Sequence, residues 1–269
     1  MNINDIRDAY TSEGFGYLEA SARASNDIIL ALIAKSSLAE RVTIKGGVVM
    51  QYISGDSRRA TQDLDLDFIK YSLSDESIMQ FVTALSSQSD DCNISIVAPI
   101  EELKHQDYHG KRAYIRITDA AGTSVVTKLD MGVHKDIGME QDVYCFELDK
   151  LDDSVTLFIN AKEQILIEKL KSLLRLGVLS TRFRDVFDMY WLVTEGGINK
   201  MLLMRYMRLK IFDDLTMREE DIFDIVSRLD KVLNDSSFVS ALNRSSRYNW
   251  LDVNPNQATK ALLSFFKNY

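Results

Sequence analysis

Carboxylates at alternate positions mark one short stretch of this chain as a place for chemistry. Asp63, Asp65 and Asp67 alternate with apolar residues in the segment QDLDLDF. Successive side chains of a β-strand point to opposite faces, so the three carboxylates would share one face, about 6.5 Å apart. Carboxylates this close repel unless a cation lies between them, and ligation by oxygen alone suits Mg²⁺. The stretch therefore predicts a metal-binding strand.

A glycine pair precedes this strand. Residues 41–44 are predicted as a short strand, Gly46 and Gly47 as a turn, and residues 48–53 as the helix that follows. A glycine pair alone is more often an ordinary turn. Beside alternating carboxylates, it suggests a nucleotide held by backbone and metal.

A third carboxylate lies on a later predicted strand, residues 124–133. Alternation puts Asp130 on one face of this strand and an unbroken apolar set on the other. If that apolar set packs on the core used by the first strand, Asp130 joins the first two carboxylates. Three converging carboxylates suit phosphoryl-group transfer, in which two metal ions hold a triphosphate and a carboxylate can deprotonate the acceptor hydroxyl. Asp130 as an ordinary exposed residue, and Asp67 as a solvated strand end, remain open alternatives.

Length, composition and net charge limit the classes of protein to which this chain can belong. With 269 residues, 46% hydrophobic and 27% charged, the chain is predicted to be globular with two domains. A net charge of −8 argues against nonspecific coating of nucleic acid but allows a local basic patch. Basic residues at 200–210 and 244–247 are candidates for such a patch, although an ordinary solvated helix face is the simpler interpretation.

Cysteine and histidine usage shows no metal-type spacing. Cys92 and Cys145 are isolated and are expected to be buried free thiols, which fits a reducing compartment. His105, His109 and His134 are interpreted as surface or loop residues. No apolar run approaches the roughly 20 residues that span a bilayer, and no signal-type segment opens the chain. We therefore expect a cytoplasmic protein without a membrane contact.

Periodicity predicts an α+β fold with two parts. A helix is expected from Met1 to about Glu40, with an interruption at residues 21–26. Further elements are a helix at 73–87 and strands at 93–98, 112–118, 124–133 and 143–148. Helical spacing dominates after Asn160, so the predicted domains are a mixed-sheet α/β domain over residues 1–155 and a helical domain over 156–269.

The order of these residues resembles a known superfamily. Gly46 and Gly47, the box Arg59, Thr61, Asp63, Leu64 and Asp65, and the later Leu129 and Asp130 are similar to the motifs of DNA polymerase β-type nucleotidyltransferases. Within that superfamily, the chain resembles the AbiEii toxin family. That likeness is carried by Glu168, Lys169, Leu170, Leu174 and Arg175, followed by Arg184, Asp185, Val186, Phe187, Asp188 and Tyr190.

The resemblance implies a Mg²⁺-dependent nucleotidyltransferase that acts as a toxin of a toxin–antitoxin pair. It implies Asp63, Asp65 and Asp130 as metal ligands, with Asp130 alternatively a base, and Lys169 and Asp185 as catalytic residues of the helical domain. The implied nucleotide-binding residues are Lys45, Gly46, Gly47, Arg59, Thr61 and Lys169. The implied partners are a nucleoside triphosphate, an RNA acceptor such as transfer RNA, and a cognate antitoxin.

One position departs from the superfamily pattern, and other functions stay open. Val48 stands where Ser or Thr usually follows the glycine pair, which leaves Lys45 or Ser54 to supply the missing phosphate contact. Lys169 with Asp185 could be a helix-surface ion pair, and Asp188 could be a structural partner of Arg184 or Arg175. The rival functions are nucleotidylation of a protein or small molecule, and a catalytically weak nucleotide-binding partner of an antitoxin.

Overall fold

Strands with alternating apolar residues build one mixed sheet in the first part of the chain. The computed structural model describes residues 2–103, 110–134 and 138–269. The strands are β1 (Val42–Lys45), β2 (Asp63–Ile69), β3 (Cys92–Ile96), β4 (Glu101–Leu103), β5 (Gly110–Asp119), β6 (Ser124–His134), β7 (Gln141–Leu148) and β8 (Asp153–Asn160). They follow the order β3-β5-β6-β2-β1-β8-β7, and β4 pairs with β5.

The sheet combines parallel and antiparallel pairs. Strand β2 runs parallel to β6 and antiparallel to β1, while β1 runs parallel to β8. The remaining pairs are antiparallel. The predicted α+β fold with a mixed sheet is confirmed, and β1, β2, β3, β5, β6 and β7 lie within two residues of the predicted strand positions.

Four α-helices accompany the sheet within the described part of the chain before residue 161. They are α1 (Ile3–Ser12), α2 (Tyr17–Lys35), α3 (Gly46–Ser54) and α4 (Asp75–Ser86). The prediction of an interruption at residues 21–26 is wrong, because these residues lie inside α2 and are mostly buried. The break lies at residues 13–16 instead, where Gly14 adopts a φ of +96° that favours glycine.

The chain divides into two units, Met1–Asn160 and Ala161–Tyr269, each of which is described by itself. The second unit is helical. Its α-helices are α5 (Lys162–Leu176), α6 (Phe183–Thr194), α7 (Lys200–Met207), α8 (Ile222–Leu233), α9 (Ser236–Arg244) and α10 (Pro255–Lys267). Side-chain caps begin several of them: Asp235 accepts from two amides at the start of α9, and Asn254 caps α10, whose first residue is proline.

Sequence patterns missed two strands and misplaced one thiol. Strand β8 alternates buried Val155, Leu157 and Ile159 with more exposed residues, and the expected domain border at residue 155 falls inside it. The three-residue β4 is too short to show a period. Cys92 is buried as expected, but Cys145 is exposed, so that expectation is wrong. His105 and His109 lie outside the described residues.

Among the helices of the described residues, none combines the length and the apolar character needed to cross a membrane.

Candidate functional site

Strand β2 presents its three carboxylates on one face. The alternate apolar residues Leu64, Leu66 and Phe68 are 0% exposed and anchor the strand in the core. This burial fixes which way the strand faces, because a shift by one residue would bury the acids instead. The predicted alternation is confirmed.

Strand β6 brings Asp130 beside this face. In the parallel register Asp65 is paired with Asp130, and Asp63 with Lys128. Laterally paired residues of a sheet project to the same face, and the next residue of β6, Met131, is 1% exposed on the core side. The sequence expectation that Asp130 joins Asp63 and Asp65 on one face is confirmed.

An arginine from β5 holds the Asp130 carboxylate. Arg112 lies opposite Asp130 in the β5–β6 register and donates from Nε and Nη2 to its two carboxylate oxygens, each at 2.7 Å. This bidentate contact raises the pKa of the Arg112 guanidinium, because the hydrogen bonds favour its charged form. Both oxygens of Asp130 are therefore committed. In the described ranges, no group of three or more His, Cys, Asp or Glu side chains is arranged to hold a metal ion.

Asp63 is less well satisfied. Lys128 Nζ lies 3.4 Å from Asp63 Oδ1, and this oxygen is buried yet accepts no hydrogen bond from any residue that the structure describes. A buried carboxylate oxygen without a donor is costly. It would be satisfied by a hard divalent cation, for which carboxylate oxygens are the preferred ligands. Asp63 and its neighbour Asp65 thus fit such an ion, while Asp130 would first have to release Arg112.

Asp67, the last acid of β2, has a different environment. Its carboxylate is 2% exposed and accepts from Lys45 Nζ at 2.6 Å. Lys45 belongs to β1, where it is paired with Asp65, and is itself 8% exposed. The lysine that was expected to bind nucleotide therefore neutralises a buried carboxylate in this structure.

The glycine turn presses against the carboxylate strand. Gly46 has a φ of +68°, and a Cβ atom there would lie 2.3 Å from Asp65 Oδ2. A Cβ on Gly47 would lie 2.6 Å from Thr61 Oγ1. Any larger residue would displace these side chains. Helix α3 begins at Gly46, so the first amides of the helix, which lack partners within it, meet the acidic face.

The other residues of the predicted nucleotide box lie around this turn. Thr61 Oγ1 donates to the Asp63 carbonyl at 3.3 Å, and Arg59 is 3% exposed and donates to the Ala60 carbonyl at 3.2 Å. Val48 is buried in the core. Ser54 lies at the opposite end of α3, donating to Gln51, so Thr61 is the hydroxyl beside the turn.

In the second unit, one lysine is held between two carboxylates. Lys169 Nζ lies 2.6 Å from Asp185 Oδ1 and 2.8 Å from Asp188 Oδ2. Asp185 and Asp188 are three residues apart in α6 and so share a face. The Lys169 side chain is 11% exposed and Asp188 is 0% exposed. The surface-pair alternative is therefore wrong, because these charges are desolvated.

A residue late in the chain completes this group. Trp250 Nε1 donates to Asp188 Oδ1 at 2.9 Å, and the indole is 4% exposed. Nearby, Arg184 lies over the Tyr248 ring, and Arg175 donates to Thr216. Asp188 thus links Lys169 to the segment after α9. We call these four residues, Lys169, Asp185, Asp188 and Trp250, the lysine cluster.

Comparisons with known proteins identify the family. A family model described as nucleotidyl transferase AbiEii toxin, type IV toxin–antitoxin system, matches residues 27–245. The chain belongs to the AbiEii family. A solved structure from H. pylori, assigned as a nucleotidyltransferase, has a TM-score of 0.51 and 18% identity, and the match covers 91% of this chain and 90% of that one. That likeness concerns the fold.

Other comparisons add less. An antigenic nucleotidyltransferase-like protein from Paracoccidioides brasiliensis matches with a TM-score of 0.43 and 19% identity, covering 81% of this chain and 93% of that one. A search of curated proteins found no match.

Membership makes this AbiEii chain a nucleotidyltransferase of a toxin family. It follows that a nucleoside triphosphate is its substrate and that the family's toxin–antitoxin arrangement implies an antitoxin partner.

Three residues that contact the carboxylates of the sheet face or of the lysine cluster were not predicted from sequence. Arg112 and Lys128 each pair with a predicted catalytic carboxylate, and Trp250 lies beyond the matched range. Polar alternation in β5 would have placed Arg112 on an outward face, but its pairing with Asp130 depends on strand register. Nothing in the sequence pattern links Trp250 to α6.

Proposed function

We propose that this AbiEii-family protein transfers a nucleoside monophosphate from a nucleoside triphosphate to a hydroxyl of RNA, with transfer RNA as the favoured acceptor and Mg²⁺ as the cofactor. In this reaction the acceptor oxygen attacks the α-phosphorus, a new P–O bond forms, and the bond to the β-phosphate oxygen breaks. Pyrophosphate leaves, and the hydroxyl proton passes to a carboxylate. The protein's tasks are to position the reactants and to balance charge.

In this proposal Asp63 and Asp65 hold the metal ion, which neutralises the triphosphate and stabilises the developing charge when bound. Asp130 is the third ligand or the base that accepts the proton. Support comes from the shared face of the three carboxylates and from the unsatisfied Oδ1 of Asp63. Asp130 takes up either role only when its contact with Arg112 opens, because that contact occupies both oxygens.

The triphosphate is proposed to lie at the start of α3. Backbone amides of the glycine turn, together with Thr61 and Arg59, would contact its oxygens, as a helix N-terminus favours anions. Lys45 would contribute to triphosphate binding indirectly, by keeping Asp67 neutralised beside the turn. In the second unit, Lys169 is proposed as a nucleotide-binding residue, and Asp185 and Asp188 hold its ammonium group in place.

One observation carries this proposal most strongly. The turn at Gly46 leaves no room for a Cβ against Asp65, so the N-terminus of α3 lies directly beside this carboxylate. A purely structural turn has no need of this closeness, whereas it would suit a site in which Asp65 helps to hold a metal ion and the amides of α3 contact a phosphate.

Labelled substrates test the proposal. The purified protein is incubated with each α-³²P nucleoside triphosphate, Mg²⁺, total RNA and cell lysate, and the products are separated by denaturing gel. We expect label in an RNA band, in the transfer RNA size range, that RNase removes and protease does not. Omission of RNA should abolish this band, and chelation of divalent cations should do the same.

The same experiment separates the rival functions. Label that protease removes, or label in a small molecule, would replace RNA with that acceptor. Absence of label in every fraction, with nucleotide binding intact, would favour a nucleotide-binding partner of an antitoxin over an enzyme.

A further inference from the structure

One half of the polar sheet face carries basic and aromatic side chains beside the carboxylates. In the β5–β6 register Arg112 is opposite Asp130, Tyr114 opposite Lys128 and Arg116 opposite Val126. These residues share the carboxylate face, since Ala113, Ile115 and Ile117 between them are 0% exposed in the core. We call Arg112, Tyr114, Arg116 and Lys128 the basic strip.

Half of the strip is open to solvent, while Arg112 and Tyr114 are half-buried. Arg116 is exposed, Val126 is 50% exposed and the Lys128 side chain is 40% exposed. The neighbouring strand β3 continues the face with exposed Ser95 and Asn93, which are small and polar. A flat face of this kind leaves space for an extended ligand.

Charge on the sheet is distributed unevenly. The opposite edge strand, β7, carries exposed Asp142 and Glu147, and neither β7 nor β8 contains a Lys or Arg. The strip gathers three cations in a chain whose net charge is −8. Acidic residues bound the strip: Asp63 and Asp130 pair with Lys128 and Arg112, and exposed Glu101 of β4 lies opposite Arg112. The cations nearest to solvent are therefore Arg116 and Lys128.

An exposed sheet face with interleaved cations and aromatic rings suits single-stranded nucleic acid. Cations follow the phosphates, and rings stack on bases without sequence preference. Here the strip starts one strand away from Asp65, so a strand lying along it would lead to the carboxylates.

We propose that the basic strip binds the single-stranded RNA segment that carries the acceptor hydroxyl, with Arg116 and Lys128 on phosphates and Tyr114 stacked on a base. This inference rests on the proposed RNA acceptor and names the surface that receives it. Arg112 stays with Asp130 in the free protein and is the strip residue closest to the reacting hydroxyl.

Binding measurements on the full chain test the strip separately from catalysis. The probe is a fluorescein-labelled single-stranded oligoribonucleotide, and its affinity is measured by anisotropy at several salt concentrations. Arg116→Ser and Tyr114→Leu should each weaken RNA binding roughly five- to tenfold. Arg116→Ser should also make the slope of log K against log[salt] shallower by about 0.7, the value for one phosphate contact with a single strand. Binding of a fluorescent nucleoside triphosphate should be unchanged in both variants.

The matched control removes cations from the rival surface. Arg205→Ser and Arg208→Ser change exposed residues at the end of α7 and should leave RNA affinity as in the wild type. Equal losses from both surfaces, or wild-type affinity in both strip variants, would overturn the strip. RNA that fails to bind the wild-type protein would overturn it as well.

Failure of the proposed function has a different signature. If the strip variants lose RNA affinity while the labelled nucleotide is found only in protein or a small molecule, the strip stands as an RNA-binding surface, but RNA falls as the acceptor. If RNA is labelled and the strip variants bind and label it normally, the acceptor stands and the strip falls.

Discussion

Asp188 shows how much a single side chain can matter in this molecule. It is fully buried, and its two oxygens contact Lys169 and Trp250. Exposed ion pairs contribute only about 0.2–1 kcal/mol, whereas removing one partner of a buried pair costs about 3–5 kcal/mol. The lysine cluster belongs to the second case, so Asp188 is a positioning residue for the Lys169 ammonium group.

Trp250→Phe tests this positioning role. The change keeps an aromatic ring but removes the hydrogen bond to Asp188, a charge-assisted contact worth about 1.5–3 kcal/mol. We expect a lower free energy of unfolding and an apparent KM for nucleoside triphosphate that rises several-fold, because Asp188, which holds the Lys169 ammonium group, loses the hydrogen bond that fixes it. Urea titration and transfer kinetics measure the two effects.

Trp191→Phe is the matched control. Trp191 is the other of the chain's two tryptophans, is half-buried in α6, and lies outside the lysine cluster. Its replacement should leave KM unchanged. A Trp250→Phe protein that is destabilised but has wild-type KM would show that the indole only supports the fold.

At the scale of elements, helix α3 connects the site to the rest of the first unit. Its first residue, Gly46, touches Asp65, and near its far end Tyr52 donates to Asp27 Oδ1 of α2 at 2.8 Å. Tyr10 of α1 donates to the other oxygen of Asp27. Arg23 of α2 donates to the Ser57 carbonyl in the loop between α3 and β2. The N-terminal helices thus hold the far end of α3 and the loop that leads to the carboxylate strand.

Gly46→Ala tests the turn. Alanine at a φ of +68° costs about 1–2 kcal/mol, and its Cβ would also displace Asp65. Because a shift of about 1 Å in a site can cost on the order of 100-fold in rate, we expect transfer to fall by about that factor. Initial rates at saturating triphosphate measure the loss.

Gly55→Ala separates strain from site geometry. Gly55 has a similar φ of +64° at the end of α3, but a Cβ there meets nothing within 4 Å. It should lose similar stability and keep its transfer rate. Equal rate losses in the two variants would show that the close approach of Gly46 to Asp65 does not determine the transfer rate.

Asp27 predicts a pH dependence of stability. Burial raises the pKa of this carboxyl from 3.8 to about 6 despite the two tyrosine hydrogen bonds. Its contribution is therefore complete below about pH 4 and is lost as the pH rises through about 6, because the folded protein must then ionise a buried group. At 1.36 kcal/mol per pKa unit, the loss is on the order of 3 kcal/mol.

Asp27→Asn removes this titration. Arg23, Tyr10, Tyr52 and Asp149 also influence the site and are present in both proteins, so the difference between them isolates Asp27. The variant should gain stability relative to the wild type between pH 4 and pH 7 in urea unfolding. Parallel pH profiles for the two proteins would refute the raised pKa.

At the scale of the whole molecule, local patterns predicted the site better than its partners. Alternation in β2 identified which acids face outward, and the apolar face of β6 placed Asp130 with them, because both follow from burial of one strand face. The pairing of Arg112 with Asp130 and of Lys45 with Asp67 was not predictable in this way, since it depends on register between strands. Trp250 reaches Asp188 across 62 residues of chain, and no local period encodes that contact.

Element boundaries failed where the signal was weak. The segment predicted as one helix over residues 1–40 contains two helices. Gly14 and Gly16 separate α1 from α2, whereas the polar residues 21–26 do not interrupt α2. Strand β8 was overlooked because its alternation directly precedes a strongly helical segment.

The central claim is that the carboxylate face of the sheet performs nucleotide transfer. Its most direct test compares the wild type with Asp65→Asn for transfer of α-³²P label to RNA, using Asp142→Asn, an exposed acid of β7, as the control. We predict that Asp65→Asn retains its circular dichroism spectrum and RNA affinity but transfers less than about one hundredth of the wild-type label, since the amide cannot supply a charged metal ligand. The control should be fully active. Wild-type label transfer by a folded Asp65→Asn protein would contradict the account.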